Sequence, residues 1–222
     1  MKYNEIIESI NNKKYFNLYF LAGDENYYID KISNYISKNV LNEEEKAFNQ
    51  VVLYGKETNI KDVISEAKQY PFGAINRVVI IKEAQQLRNL EKIDEYLDNP
   101  LDSTILVICY KKKIDKRKSY VKKITKQNQL FESNKLYENQ VSSWLNTYCK
   151  EHNIQITNES CEILVQHLGI DLTKITNEMI VTAIYLNASA SIKGESSLDC
   201  GDLFRTNLIM VRTVQISMPR ER

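Results

Sequence analysis

The chain has 222 residues, with thirty Lys or Arg against twenty-nine Asp or Glu, so its formal net charge is only +1. This balance excludes a global electrostatic field that would draw the protein onto nucleic acid or an anionic membrane, and any such binding has to come from a local patch. The length is sufficient for one larger domain and one small one.

The N-terminal segment MKYNEIIESINNKKYF lacks the continuous apolar core of a signal peptide, and no later stretch has the apolar length needed to span a bilayer. We therefore expect a soluble, cytoplasmic protein with no membrane partner. The cysteines are widely spaced and form no C-x-x-C pair, which argues against structural disulfides and a zinc site. They are Cys109, Cys149, Cys161 and Cys200.

Five short runs rich in β-branched and aromatic residues predict the strands of a parallel sheet, because amphipathic segments separate them. The apolar runs are continuous, which is typical of strands buried on both faces. The predicted strands are FNLYFLA ending at Ala22, NQVVLY ending at Tyr54, RVVII ending at Ile81, TILVICY ending at Tyr110 and QLFE ending at Glu132.

Apolar residues at helical spacing predict three helices among these strands. The first carries Ile29, Ile32, Ile36 and Val40, the second is IKDVISEAKQ after a cap at Thr58 or Asn59, and the third carries Leu87, Leu90, Ile93 and Leu97. The second helix ends before Pro71, because proline disfavours helical geometry at the residue before it.

After Leu136 the pattern changes to helices only, which predicts a domain boundary. We expect an α/β domain at residues 1–136 and a three-helix domain at residues 137–179. The inward residues of its helices are expected to be Val141, Trp144, Leu145 and Tyr148, then Cys161, Leu164, Val165 and Leu168, then Leu172, Ile175 and Met179. Residues 180–222 show no clear pattern, and we expect a divergent or truncated tail there.

The turn after the first strand, GDENYYID, lies where a nucleotide binds in a parallel α/β protein. A phosphate loop requires G-x-x-x-x-G-K-[ST], since glycines let backbone amides wrap the phosphates and lysine neutralises them. Only Gly23 fits this pattern; Tyr28, Ile29 and Asp30 stand where glycine, lysine and the hydroxyl residue belong. After the third strand, Lys82 likewise stands just before Glu83, where a hydrolase needs a magnesium-binding acid. We therefore expect no cofactor. The residues alone leave open whether the fold lost a nucleotide site or never had one.

Four segments together resemble the delta subunit of the bacterial DNA polymerase III clamp loader. They are LYFLAGDENYYIDKI, PFGAINRVVIIKEAQQL, STILVICYKKKIDKRKSYVKKI and VSSWLNTYCKEHNIQITNESCEILVQHLGIDLTKITNE, which extend over roughly the first 178 residues. The resemblance implies an AAA+-like fold, with a P-loop-type five-stranded α/β domain and a small helical lid. It also implies a subunit that is not a catalyst itself but belongs to a DNA-directed DNA polymerase holoenzyme, a nucleotidyltransferase.

The same resemblance implies the partners. They are a sliding clamp that the subunit binds and opens, the loader's ATPase subunits and delta-prime, and DNA through the complex, at the replisome on the nucleoid. Pro71 and Phe72 match the family's hydrophobic pair that contacts the clamp, and Tyr70 would extend the patch. The residues alone favour a core position for Phe72 at a helix-strand junction. The resemblance also implies a third, helical collar domain; we expect this domain to be lacking here, and we expect assembly into a loader to be impaired as a result.

A basic segment from Lys111 to Lys126, KKKIDKRKSYVKKITK, is the other feature with a functional interpretation. Contacts to DNA phosphates are conceivable at Lys112, Lys113, Arg117 and Lys123, with stacking at Tyr120, on a helix whose inner face carries Ile114, Val121 and Ile124. We favour a solvated helix face instead. Two alternatives to the clamp-loader interpretation stay open: a nucleic-acid-binding module built on this segment, and an ATPase with a non-standard loop.

Overall fold

The computed structural model describes residues 1–152, 154 and 158–181. By its internal contacts the chain divides into two units, Met1–Lys135 and Leu136 onward. The first unit contains five strands: β1 Leu18–Gly23, β2 Gln50–Tyr54, β3 Arg77–Lys82, β4 Thr104–Tyr110 and β5 Leu130–Ser133. All pair in parallel, in the order β2-β3-β4-β1-β5. The α/β fold class and all five strands are thus confirmed.

Six helices belong to this first unit: α1 Tyr3–Asn11, α2 Asn26–Asn39, α3 Glu43–Asn49, α4 Ile60–Ala67, α5 Asp94–Leu97 and α6 Ser119–Lys126. Side chains from α1 and α2, such as Ile6 and Ile29, form the core on one face of the sheet. Side chains from α4 to α6, such as Val63 and Ile124, form the core on the other. Every residue of β1 is buried, because helices cover both of its faces.

The predicted helix through Leu87 and Leu97 is wrong as a single element. The chain forms two 3₁₀ turns, Ala84–Gln86 and Leu90–Ile93, before the one-turn α5. The reason is a left-handed Asn89 (φ 58°), a conformation that asparagine tolerates and that interrupts an α-helix. The four apolar residues are nevertheless buried, so the packing was correctly predicted and the helix type was not.

Two helices have no counterpart among the predicted elements. Helix α1 buries Ile6 and Ile10, which together with Tyr3 and Ile7 have the spacing of an amphipathic helix, so α1 could have been predicted from the sequence. Helix α3 carries a capping box in which Asn42 and Glu45 each accept from the other's backbone N–H. That box is a recognisable helix start and could have revealed α3.

The second unit contains α7 Glu138–Glu151, α8 Asn158–Leu168 and a helix at residues 172–181, where the description of the chain ends. Most of the predicted inward residues are buried: Val141, Leu145 and Tyr148, Cys161, Leu164 and Val165, and Leu172, Ile175 and Met179. Trp144 and Leu168 are half-buried. Except for residues 180 and 181, the predicted tail lies outside the described residues. None of the helices in the described part is long and apolar enough to cross a bilayer.

Candidate functional site

The glycine at the position of the phosphate loop is required by strand packing. Gly23 has φ +141°, and a Cβ built on it would lie 1.8 Å from the carbonyl oxygen of Ser133 in β5. Its N–H donates to the carbonyl of Lys112 (3.1 Å), and the N–H of Glu25 donates to the same Ser133 oxygen (3.2 Å). Gly23 is therefore explained by the close approach of β1 and β5, without any phosphate.

The start of α2, where a phosphate would sit, is occupied by the protein's own side chains. Glu25 is buried, and its carboxylate accepts from the N–H of Tyr27 (3.1 Å), so an internal anion already lies at the helix N-terminus. Tyr28 packs edge-on against Tyr3, with ring centroids 5.2 Å apart. Ile29 is fully buried in the core. The buried Ile29 side chain cannot contact a nucleotide in this position.

Asp30, the residue at the hydroxyl position, forms an ion pair with Lys111 at the end of β4 (Nζ to Oδ2, 2.7 Å). The lysine therefore neutralises a carboxylate of the protein. The Lys111 backbone N–H donates to Gln85 Oε1 (3.0 Å), which fixes the chain at this edge of the sheet. Sequence analysis missed Glu25 and Lys111, because neither belongs to a phosphate-loop pattern.

The acid at the end of β3 is also engaged locally. Glu83 adopts a left-handed backbone, and its carboxylate accepts from Gln86 Nε2 (2.6 Å). Within the described residues, no group of three or more His, Cys, Asp or Glu side chains is arranged to hold a metal ion. Glu83 at the end of β3 and Lys111 at the end of β4 are thus both engaged in contacts within the protein.

The segment between α4 and β3 forms an exposed apolar tip, which we define as residues 70–75. Tyr70 is 77% exposed, Phe72 is 74% exposed and Ile75 is 84% exposed, whereas Pro71 is half-buried. The expectation from residues alone that Phe72 fills the core is therefore wrong. Pro71 restricts the backbone next to the ring, and large apolar side chains grouped in this way are typical of interaction surfaces.

A buried asparagine holds the backbone of the tip. The Phe72 N–H donates to Asn49 Oδ1 (2.6 Å), and Asn49 Nδ2 donates to the Phe72 carbonyl (2.9 Å). Asn49 is completely buried at the end of α3. Sequence analysis missed it, since a single asparagine between an unrecognised helix and a strand carries no signal.

A buried arginine fixes the surroundings of the tip. Arg77, the first residue of β3, donates through Nε to the Glu66 carbonyl and through a terminal nitrogen to the Phe48 carbonyl (both 3.1 Å). It also forms an ion pair with the Glu66 carboxylate. Arg77 therefore ties the ends of α3 and α4 to the start of β3.

The basic segment is less helical and less positive than the sequence suggests. Only Ser119–Lys126 is helical, so the prediction of one helix that includes Ile114 is wrong. Tyr120 is buried, and burial raises the pKa of its hydroxyl to about 12. Its ring lies in the core and cannot stack on a base, so that prediction is wrong too.

Five of the nine bases in this segment form ion pairs with acids. Lys113 pairs with Asp24 (3.3 Å), and Arg117 pairs with Asp115 (2.9 Å), which lowers the Asp115 pKa to about 2. The other pairs are Lys111–Asp30, Lys116–Glu132 and Lys123 with both Asp94 and Asp98. Among the predicted contacts, Lys112 alone is exposed with no acidic partner in the described part of the chain.

Known proteins share sequence and fold with this chain. A family model described as DNA polymerase III, delta subunit, matches residues 19–134. The DNA polymerase III subunit delta of Bacillus subtilis (strain 168) is 25% identical over 173 residues, which cover 73% of this chain and 50% of that protein. The chain therefore spans about half the length of this curated relative.

Among solved structures, the Bacillus subtilis DNA clamp loader delta protein (YqeN) matches with a TM-score of 0.67 and 22% identity, covering 83% of this chain and 57% of that one. This likeness shows that the two chains share the α/β fold that the resemblance implied. The family model extends over more than half of the chain, and this chain belongs to the DNA polymerase III delta subunit family.

Proposed function

We propose that this chain is a non-catalytic clamp-loader subunit that binds a sliding clamp and opens it for loading onto primed DNA during replication. The observation that carries the proposal is the exposed tip, with Phe72 projecting on a backbone that Asn49 fixes. The subunit would act with the ATPase subunits and delta-prime, and it would reach DNA through that complex on the nucleoid. Binding to an immobilised sliding clamp tests the proposal, and loss of binding on Phe72→Ala would assign it to the tip.

The physical argument for docking is the free energy of burying an aromatic ring. Transfer of Phe72 from water into an apolar pocket contributes about 2 to 3 kcal/mol. A fixed backbone reduces the conformational entropy lost on binding, so more of this free energy appears as affinity. A few residues contribute most of the binding free energy of a typical interface, and aromatic residues are common among them.

We expect no measurable nucleotide binding. Titration with Mg²⁺ and ATP should give no saturable heat up to ATP concentrations on the order of 1 mM. A dissociation constant of about 1 mM corresponds to a binding free energy of about 4 kcal/mol. The reason is the internal occupation of the loop by Glu25 and by the Asp30–Lys111 pair. Micromolar affinity for ATP would contradict the non-catalytic role and support the ATPase alternative.

The alternative of a nucleic-acid-binding module predicts a different response to salt. Each phosphate contact contributes about −0.9 to the slope of log affinity against log salt concentration. We expect Lys112→Glu together with Arg117→Glu to change this slope, measured by fluorescence anisotropy on duplex DNA, by less than about 0.5, because Arg117 already pairs with Asp115.

A matched control for that measurement is Lys61→Glu together with Lys68→Glu. This variant has the same change in net charge, but Lys61 lies on α4 and Lys68 just after it, outside the basic segment. If the magnitude of the slope decreases by about 2 in the variant with Lys112→Glu and Arg117→Glu, and does not decrease in the control variant, the nucleic-acid-binding module is favoured.

A further inference from the structure

A second aromatic ring lies beside Phe72 on the surface. Phe48, near the end of α3, is 66% exposed, and its ring centroid lies 5.7 Å from that of Phe72 with the planes inclined at 54°. The two residues are far apart in sequence, so the fold creates this pair. Two adjacent phenylalanines that both remain largely exposed form a larger apolar surface than either alone.

The side chain of Asn49 makes this pairing possible. Its amide accepts from the Phe72 N–H and donates to the Phe72 carbonyl, as the backbone of a neighbouring strand would. Asn49 Nδ2 also donates to the Glu45 carbonyl (3.1 Å), which ties the amide to α3. The residue that follows Phe72, Gly73, has φ +64° with no atom within 4 Å of a built Cβ. Asn49 therefore restrains a turn that little else packs against.

The backbone of Phe48 is also held by a buried polar side chain. Arg77 donates to the Phe48 carbonyl (3.1 Å) and is itself buried. The backbones of both aromatic residues are thus fixed by buried polar side chains, while both rings face outward. Buried polar groups that fix an exposed apolar pair are expected where a surface is prepared for a partner.

We propose that Phe48 is a second docking residue and that Asn49 is the positioning residue that holds Phe72 beside it. This inference rests on the proposed function and extends it: the apolar pocket on the sliding clamp would receive two rings. Phe48 then belongs to the same binding surface as the tip, and the buried Asn49 supports that surface from within, although 23 residues separate Asn49 from Phe72.

A double-mutant cycle tests the role of Asn49. Asn49→Ala should weaken clamp binding by this chain about threefold to tenfold, because the Phe72 ring must then be ordered on binding. In a Phe72→Ala background the same substitution should change affinity by less than about twofold, since no ring remains to be positioned. An equal loss in both backgrounds would show that Asn49 does not act through Phe72.

Direct docking by Phe48 is tested separately. Phe48→Ala should weaken binding about tenfold, and Phe48→Leu, which keeps an apolar side chain, should lose no more than about threefold. Tyr137→Ala is the matched aromatic control, because Tyr137 is 76% exposed and lies in the second unit. Unchanged affinity of Phe48→Ala would overturn the assignment of a second docking residue.

Amide hydrogen exchange separates failure of this inference from failure of the proposed function, because it needs no clamp. The Phe72 N–H should exchange at least about tenfold faster in Asn49→Ala than in the unsubstituted chain, since its acceptor is removed. Asn39→Ala, which removes an amide that bonds the Tyr35 carbonyl (2.8 Å), should leave Phe72 exchange unchanged. Unchanged exchange in Asn49→Ala would refute the positioning role. Failure of the unsubstituted chain to bind an immobilised sliding clamp would instead refute the proposed function.

Discussion

Replacing Phe72 with alanine is expected to lower the affinity of this chain for a sliding clamp about thirtyfold to 150-fold. The ring is 74% exposed in the free protein, so most of its apolar surface is available for burial in a partner. Losing about 2 to 3 kcal/mol of that burial corresponds to this change in the dissociation constant. Surface plasmon resonance with immobilised clamp measures it, and we expect the change mainly in the dissociation rate.

The fold should not suffer from this substitution, because the ring contacts little besides Phe48. Thermal unfolding of Phe72→Ala should therefore coincide with that of the unsubstituted chain within about 2 °C. Tyr70→Ala provides a graded comparison at the same tip, with a smaller expected loss. If Phe72→Ala binds the clamp as tightly as the unsubstituted chain does, the tip is not the contact.

Replacing Gly23 with alanine is expected to destabilise the first unit by at least about 3 kcal/mol. The new Cβ would overlap the Ser133 carbonyl oxygen, and neither backbone can move without breaking the pairing of β1 with β5. The positive φ adds strain that an L-residue cannot relieve. Urea denaturation followed by circular dichroism measures the effect, as a lower midpoint at an unchanged slope.

Gly73→Ala is the matched control for this experiment. Gly73 also has a positive φ (+64°), but no atom lies within 4 Å of the added Cβ. Its cost is therefore limited to the left-handed backbone, about 1 kcal/mol. Equal midpoints for the two variants would mean that contact with β5 does not explain Gly23, and a remnant of nucleotide binding would again become the better explanation.

The sheet could be predicted from sequence because its strands are buried on both faces. Continuous apolar runs such as TILVICY leave little ambiguity, and the separating helices require parallel connections. The region after β3 could not be predicted to the same level, since its apolar spacing fits both an α-helix and a series of 3₁₀ turns. The backbone of Asn89 decides between them, and no pattern of apolar residues encodes that choice.

The role of the tip residues stays a prediction from the family resemblance, and the residues that hold the tip in place were not predicted from the sequence. Tyr70, Pro71 and Phe72 follow each other in the chain and could be compared with a known family as a motif. Asn49 and Arg77 act through contacts with distant segments, which only the folded chain brings together. The ion pairs of Lys113 with Asp24 and of Lys123 with Asp94 could not be predicted from the sequence for the same reason, because both aspartates lie in other parts of the fold.

The carboxylate of Glu25 and the Asp30–Lys111 pair have a consequence for how the loop responds to changing conditions in the cell. A protein whose loop is stabilised by a diffusible ligand becomes more or less stable as the ligand concentration changes. Here the stabilising charges are covalently part of the chain, so their local concentration is constant. The shape of this loop should therefore be the same in a starved cell and in a growing one.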